Sequence, residues 1–477
     1  MKRRQYLEVM GIALVAAGLS RCTSLDTQEQ SADTQEKPID RPSKNVLFIA
    51  VDDLNHWCGY TKRNKQVKTP NIDRLSKMGV SFTNAHCAAP ACNASRAAVL
   101  SGLRPSTSGC YTNKHFWQKY IPKGISLNVT FKEAGYHVMG VGKIFHKHTL
   151  DTLYTSEWDE YASISKNPTG GATADQGYLE PLPLDMKDED LADWDYVSYC
   201  IEKLQKKYEK PFFLSCGLQK PHLPWAVPKK YYDMFPLDQI ELPPHIKDDL
   251  ADIPEAGRNN SNRIEHQKFL NLGRWKDAVQ SYLATIAYAD VCIGRLLDAL
   301  ENSAYKNNTI VVLWGDHGWH LGEKEHWRKS TLWEEATRAP MVWYAPGVTK
   351  PNTICNKPVD LMSIYPTLLE LTEIDKPEHL EGRSIVPLLK NPTAMWDGVA
   401  VTTDDYMNHA VRTQRWRYIR YANGDRELYD HNNDEYEWTN LAEDPVYAPE
   451  IERLSAYFPK INVKNTPILK QDKKWWN

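Results

Sequence analysis

The chain of 477 residues has a formal net charge of -3 and a hydrophobic fraction of 42%, enough to bury one large core and a smaller appended one. A balance this close to neutral, with no basic tail, argues against a dedicated nucleic-acid binder, and no apolar stretch is long enough to span a bilayer. Sixteen tryptophans and 25 tyrosines supply flat faces that suit sugar rings, although most such residues end in cores.

Residues 1–22 read as an export signal. Lys2, Arg3 and Arg4 form a basic start, an apolar run follows from Val9 to Ser20, and polar sequence comes next. Arg3-Arg4 with Tyr6 and Leu7 behind them is similar to a twin-arginine signal. The stretch ending at Cys22 approximates a lipobox, with Arg21 where a small residue belongs, and makes Cys22 the candidate for lipid attachment. Residues 23–44 are rich in Gln, Asp, Ser and Thr without apolar periodicity and read as a polar linker. This beginning predicts a periplasmic or extracellular protein. The nine cysteines form no CxxC pair, which argues against a zinc ribbon or a thioredoxin-type site.

Residues 45–53 are a continuous apolar run, the pattern of a fully buried strand in a parallel sheet. Residues 136–143, 211–222 and 308–318 look alike. Between them lie helical patterns, at 69–79 and over 277–303, where apolar residues recur at three and four. Strand alternating with helix predicts an α/β fold, a doubly wound sheet flanked by helices, over a large domain at 45–385. From about residue 390 aromatic and charged residues alternate, with a turn at Asn423-Gly424. This predicts a smaller antiparallel-sheet subdomain, α+β, over 386–477.

The four buried runs end in chemistry. The first delivers Asp52 and Asp53, the second Lys143 with His146 behind it, the third Lys220 and His222, the fourth Asp316 and His317. Ligands of open α/β sheets bind beyond the carboxyl ends of the strands. Asp52, Asp53 and Asp316 are hard oxygen donors that favour Ca²⁺, Mg²⁺ or Mn²⁺, while His317 keeps manganese or zinc open. Read alone, Asp52-Asp53 is equally a helix cap. Lys143, His146, Lys220, His222 and Lys329 are each ordinary surface residues in isolation; together, around acidic metal ligands, they suit a tetrahedral oxyanion such as sulfate or phosphate.

Residues 92–105 then decide between readings. A helix begins near Cys92, so its free N–H groups and dipole favour an anion there, and Arg96 lies one turn up on the same face. Cys92 could be a small buried hydrophobe or an acyl-transfer thiolate, but its neighbours suit a metal-bound oxyanion better.

Cys92-Asn93-Ala94-Ser95-Arg96, with Leu100-Ser101-Gly102-Leu103-Arg104-Pro105 behind it, resembles the signature of the type I sulfatases, members of the alkaline-phosphatase-like superfamily. Ala94 stands where that family's C-x-P-x-R motif has proline. Further matching stretches occur in the family's order over roughly residues 45–372. The Gly142-Lys143-Ile144-Phe145-His146, Lys220-Pro221-His222 and Asp316-His317-Gly318-Trp319 elements are most similar to its iduronate-2-sulfatase-like branch. The resemblance implies an alkaline-phosphatase-like mixed sheet and a Cys92 converted to Cα-formylglycine by a formylglycine-generating or anaerobic sulfatase-maturing enzyme. It implies one Ca²⁺ held by Asp52, Asp53, Asp316, His317 and the modified Cys92. Arg96 would stabilise the aldehyde hydrate, and Lys143 and Lys329 would grip the sulfate. His222, with Lys220 nearby, would serve the leaving group, and His146 would be the base. The implied reaction is hydrolysis of a sulfate ester on a carbohydrate, a glycosaminoglycan or algal polysaccharide, through a sulfo-enzyme intermediate.

A phosphodiesterase or phosphonate monoester hydrolase of the same superfamily is the alternative within enzymes, and a non-catalytic binder of sulfated glycans the alternative outside them. His115, Trp117, Trp225 and Trp319 fall in loops, where they either line a sugar site or pack. Inserts at 150–190 and 245–275 are expected to set pocket depth.

Overall fold

Every residue of Asn45–Val51 (β1) is buried, and alternate side chains enter different cores. Leu47, Ile49 and Val51 join one apolar cluster, Val46, Phe48 and Ala50 another. A strand covered on both faces has no polar side, so its sequence shows no alternation. The computed structural model that establishes this describes residues 44–146, 155–164, 166 and 182–464. The export signal, Cys22, nearly all of the polar linker and most of the 150–190 insert lie outside them.

The main sheet adds Val80–Phe82 (β2), His137–Gly142 (β3), Glu160–Ala162 (β4), Phe212–Leu218 (β5), Thr309–Gly315 (β6), Met341–Tyr344 (β7) and Thr353–Cys355 (β8). The spatial order is β8-β2-β7-β6-β1-β5-β3-β4. The four runs legible in the sequence are the adjacent parallel strands β6, β1, β5 and β3. β7 runs antiparallel to β6 and β2, which makes the sheet mixed. Helices Pro70–Met78 (α1), Cys92–Ser101 (α2), Leu127–Glu133 (α3), Ala192–Leu204 (α4), Trp275–Glu301 (α5) and Ile364–Thr372 (α6) flank it. α1, α4 and α5 fill the core on one face, and α2, α3 and α6 the core on the other. None of the described helices is long and apolar enough to cross a membrane.

Register places the site. Val51 of β1 pairs with Leu218 of β5 and with Gly315 of β6, so Asp52 and Asp316 leave the sheet side by side. Gly142 of β3 pairs with Gly217 of β5, which brings Lys143 to the same edge.

At the other end, Ala400–Thr403 (β9), His409–Arg412 (β10), Trp416–Arg420 (β11) and Arg426–Asp430 (β12) form a small antiparallel sheet in chain order. One face packs Leu428 against Ile451 and Leu454 of the helix Ala448–Ser455 (α7). The other, with Ala410, Ile419 and Tyr429, packs on Leu332, Trp333, Leu250 and Ile253. The short helix Val386–Lys390 still gives Leu388 and Leu389 to the core of the main sheet.

Candidate active site

Two buried carboxylates follow β1 directly, Asp52 and Asp53. Asp53 is left-handed at φ +57, a conformation that costs a non-glycine residue on the order of 1–3 kcal/mol unless its surroundings fix it. Tyr282 of α5 fixes it. Its hydroxyl donates to the Asp53 carbonyl at 2.7 Å and accepts the Asn55 N–H at 2.9 Å. The Asp53 N–H donates to Asp316 Oδ1 at 3.0 Å, tying the ends of β1 and β6 together.

Cys92 is the first residue of α2 and is wholly buried. Its Sγ lies 3.0 Å from Lys329 Nζ, 3.2 Å from His317 Nε2 and 3.6 Å from Asp53 Oδ1. Ser95 donates to the Asp316 carbonyl at 2.5 Å. One turn above Cys92, Arg96 donates through Nε to Asp316 Oδ2 at 2.8 Å and through Nη2 to Asp52 Oδ1 at 3.3 Å. Its Nη1 binds the carbonyls of Lys143 and Ile144. The guanidinium therefore joins the ends of three strands.

Lys143 Nζ donates to Asp52 Oδ2 and Lys329 Nζ to Asp53 Oδ1 at 2.5 Å. His222 donates Nδ1–H to the Leu223 carbonyl at 2.6 Å, which leaves Nε2 facing the acids, 3.8 Å from Asp53 Oδ2 and 4.0 Å from Asp52 Oδ2. His317 is fixed likewise through Nδ1 and the Gly318 carbonyl at 2.8 Å, presenting Nε2 to Cys92. His146 lies beside Lys143, and its buried Nδ1 has no hydrogen-bond partner among the described residues. Lys220 alone of the candidates turns elsewhere: its ammonium donates to the Pro224 carbonyl at 2.6 Å, while Asp193 accepts its backbone N–H at 2.8 Å.

Burial alone would raise Asp52, but Lys143, His222, Arg96 and Lys329 hold it well below the usual carboxylate range. Asp53 is lowered too, against burial, chiefly by Lys329 and His222. Burial pushes the Cys92 thiol well above its ordinary value, and Lys143 and Lys329 offset this only partly, so as a thiol it is a poor nucleophile. Burial lowers Lys220 to about 8 and, with Lys143 close by, holds His146 neutral.

Three carboxylates thus face three permanent cations, Arg96, Lys143 and Lys329. The donor set nonetheless fits a hard divalent cation. Ligand atoms of Asp52, Asp53, Cys92 and His222, and again of Cys92, Asp316 and His317, lie within 4.8 Å of one another. Asp53 Oδ2 is buried and accepts no hydrogen bond from the described residues, an unmet demand that a cation satisfies. A divalent ion here leaves the pocket with excess positive charge, which is what an anionic ester requires.

Other participants were not legible in the sequence. Asn113 Nδ2 lies 3.9 Å from Cys92 Sγ while its Oδ1 accepts the Asn93 N–H at 2.9 Å; nothing local marks a loop asparagine for that task. Tyr282 reads as one more apolar position of a long helix. Trp117, Trp225 and Trp319 prove to be packing residues, each buried, and Trp319 lies under the Lys329 ammonium, 5.1 Å from ring centroid to Nζ. His115 is buried as well, stacked on Tyr120.

The sulfatase family profile matches residues 44–374, and a profile described as N-sulphoglucosamine sulphohydrolase, C-terminal, matches residues 322–464. A sulfatase of Formosa agariphila is 39% identical, covering 97% of this chain and 93% of its own. Iduronate 2-sulfatase of Homo sapiens is 30% identical, covering 75% of this chain and 73% of its own. A protein solved in complex with its substrate D-glucosamine-2-N,6-O-disulfate shares the fold, with a TM-score of 0.73 at 20% identity over 87% of this chain and 96% of that one.

Proposed function

The chain belongs to the sulfatase family and hydrolyses sulfuric esters, and from that premise we propose that it acts on a sulfated carbohydrate through a modified Cys92. The observation that carries this reading is the placement of Cys92 Sγ, at a helix N-terminus and 3.0 Å from Lys329 Nζ, against the acid cluster. The similarity to iduronate 2-sulfatase supports a sugar substrate, and the export signal read at 1–22 accords with one met in the periplasm or outside the cell.

When present, a Cα-formylglycine at Cys92, installed by a dedicated maturing enzyme, supplies as its hydrate an oxygen nucleophile, and one Ca²⁺ on Asp52, Asp53, Asp316 and His317 supplies Lewis acidity. The chain's own groups do the rest. Arg96 pins Asp52 and Asp316 through its two ion pairs and helps keep Asp52 ionised. Lys143 and Lys329 meet the sulfuryl oxygens, where negative charge grows in the transition state. His222, its Nδ1–H held by the Leu223 carbonyl, turns Nε2 to the departing sugar oxygen and, as the imidazolium, would give up the Nε2 proton as general acid. His146, neutral and with Nδ1 unpaired, is the base.

The test begins with a mass spectrum of the Cys92 peptide from protein co-produced with a maturing enzyme, followed by sulfate release from sulfated sugars. Expected are an aldehyde at Cys92, loss of at least about a thousandfold in rate for Cys92→Ala, and inactivation by a chelator that Ca²⁺ reverses. An unmodified thiol in fully active protein, or sulfated sugars bound without any release, would refute the mechanism.

A further inference from the structure

Lys329 is carried by a backbone that does not hold itself. It sits between Arg328 at φ +76 and Ser330 at φ +74, two left-handed positions without glycine, which persist only where the surroundings over-determine them. Much of that surrounding is one helix. Arg263–Leu272, within the 245–275 insert, runs beside residues 325–328 and, with its N-cap Asn262, takes hold of each in turn. Arg263 Nε donates to Glu325 Oε2 at 3.0 Å. The Asn262 N–H donates to His326 Nδ1 at 2.8 Å, and the opposite nitrogen, Nε2, donates to the Lys329 carbonyl at 3.0 Å. The Trp327 ring stacks on Phe269 with centroids 4.0 Å apart, and its Nε1 donates to His266 Nδ1 at 3.2 Å. Arg328 completes the series with a bidentate pair to Glu265, at 3.0 and 2.6 Å.

We propose that the helix Arg263–Leu272 is the brace that holds Lys329 over Cys92, with Glu265 a positioning residue acting through Arg328. What the brace serves, an ammonium fixed where a sulfuryl oxygen arrives, rests on the proposed function; the brace itself does not. A bidentate guanidinium–carboxylate pair fixes direction as well as distance, and a misplaced catalytic group is costly in rate even where the fold survives. The insert thus spends its inner face on the lysine segment.

Hydrogen exchange and kinetics on the full-length matured protein test this together. In Glu265→Ala, amide exchange over residues 325–331 is expected to rise about tenfold, with the main sheet unchanged. The value of kcat/KM for a chromogenic aryl sulfate is expected to fall about tenfold, Glu265→Asp recovering most of it. Added to Lys329→Ala, Glu265→Ala is expected to cost nothing more, because the lysine it positions is gone. Unchanged exchange over 325–331, or the same loss in both backgrounds, overturns the proposal. Arg328→Gln reads the same pair from its other side should Glu265→Ala fail to fold. A wild-type protein inert on every ester counts against the proposed function, while the exchange data still decide the brace.

Discussion

Ala94, where the sulfatase signature has proline, is the third residue of α2, and the first intrahelical bond runs from the Ser95 N–H to the Ala91 carbonyl at 2.9 Å. The Ala94 N–H therefore belongs to the donors that a helix start leaves without an internal partner. Its side chain clusters with Ala89 and Ala91. Proline in a first turn removes a donor the helix does not use. Ala94→Pro is accordingly expected to move Tm by less than about 3 °C while Cys92 conversion is maintained, read by melting and peptide mass. A larger fall would show that the Ala94 N–H has a role the helix geometry does not reveal.

Between elements, the decisive feature is how closely β3 and β5 approach where they leave the sheet. A Cβ on Gly217 would lie 2.3 Å from the Lys143 carbonyl carbon, and one on Gly142, at φ +77, 2.1 Å from the Gly217 oxygen. Both contacts are with backbone, which cannot swing aside. The glycines thus admit Lys143 to Asp52 and to the carbonyl-binding Nη1 of Arg96. Gly217→Ala is expected to cost on the order of 1–3 kcal/mol and to lower kcat/KM by more than the stability loss explains, because β3 and Lys143 are pushed out together. Denaturant melts alongside kinetics separate the two effects; a variant with normal kinetics would refute this account.

For the whole molecule, the C-terminal sheet is joined to the catalytic body through buried charge. Glu334 accepts from Arg412 Nε at 3.1 Å and from Arg417, and Arg417 also donates to the Leu332 carbonyl at 2.9 Å, three residues past Lys329. Burial would raise Glu334, but Arg412, His431 and Arg417 hold it well below the carboxylate range. A carboxyl depressed in the folded state stabilises above its unfolded pKa and loses that contribution only as pH falls through the folded value. The joint is therefore intact at neutral pH and fails in strong acid. Glu334→Gln leaves two buried guanidiniums short of a counter-charge, a loss of about 3–5 kcal/mol, expected as a Tm drop on the order of 10 °C. An unchanged melt would show that the apolar contacts of Leu332 and Trp333 carry the joint alone.

What the sequence determined was whatever local pattern encodes. β1, β3, β5 and β6 were legible because strands covered on both faces must be apolar throughout. Asp52, Asp53, Asp316 and His317 were legible because such strands stop where polar residues begin. Cys92 and Arg96 follow from a helix start and one turn of spacing. Tertiary structure decided everything that depends on where a loop side chain points. It turned Lys220 to Pro224, buried Trp117, Trp225 and Trp319, and brought Asn113 to Cys92 and Tyr282 to Asp53. It also set the helix Arg263–Leu272 against the lysine segment. A residue in a loop has no periodicity to betray its direction, and for Asn113, as for Tyr282 on its helix, the partner is 21 or 229 positions away, so only the folded chain brings them together.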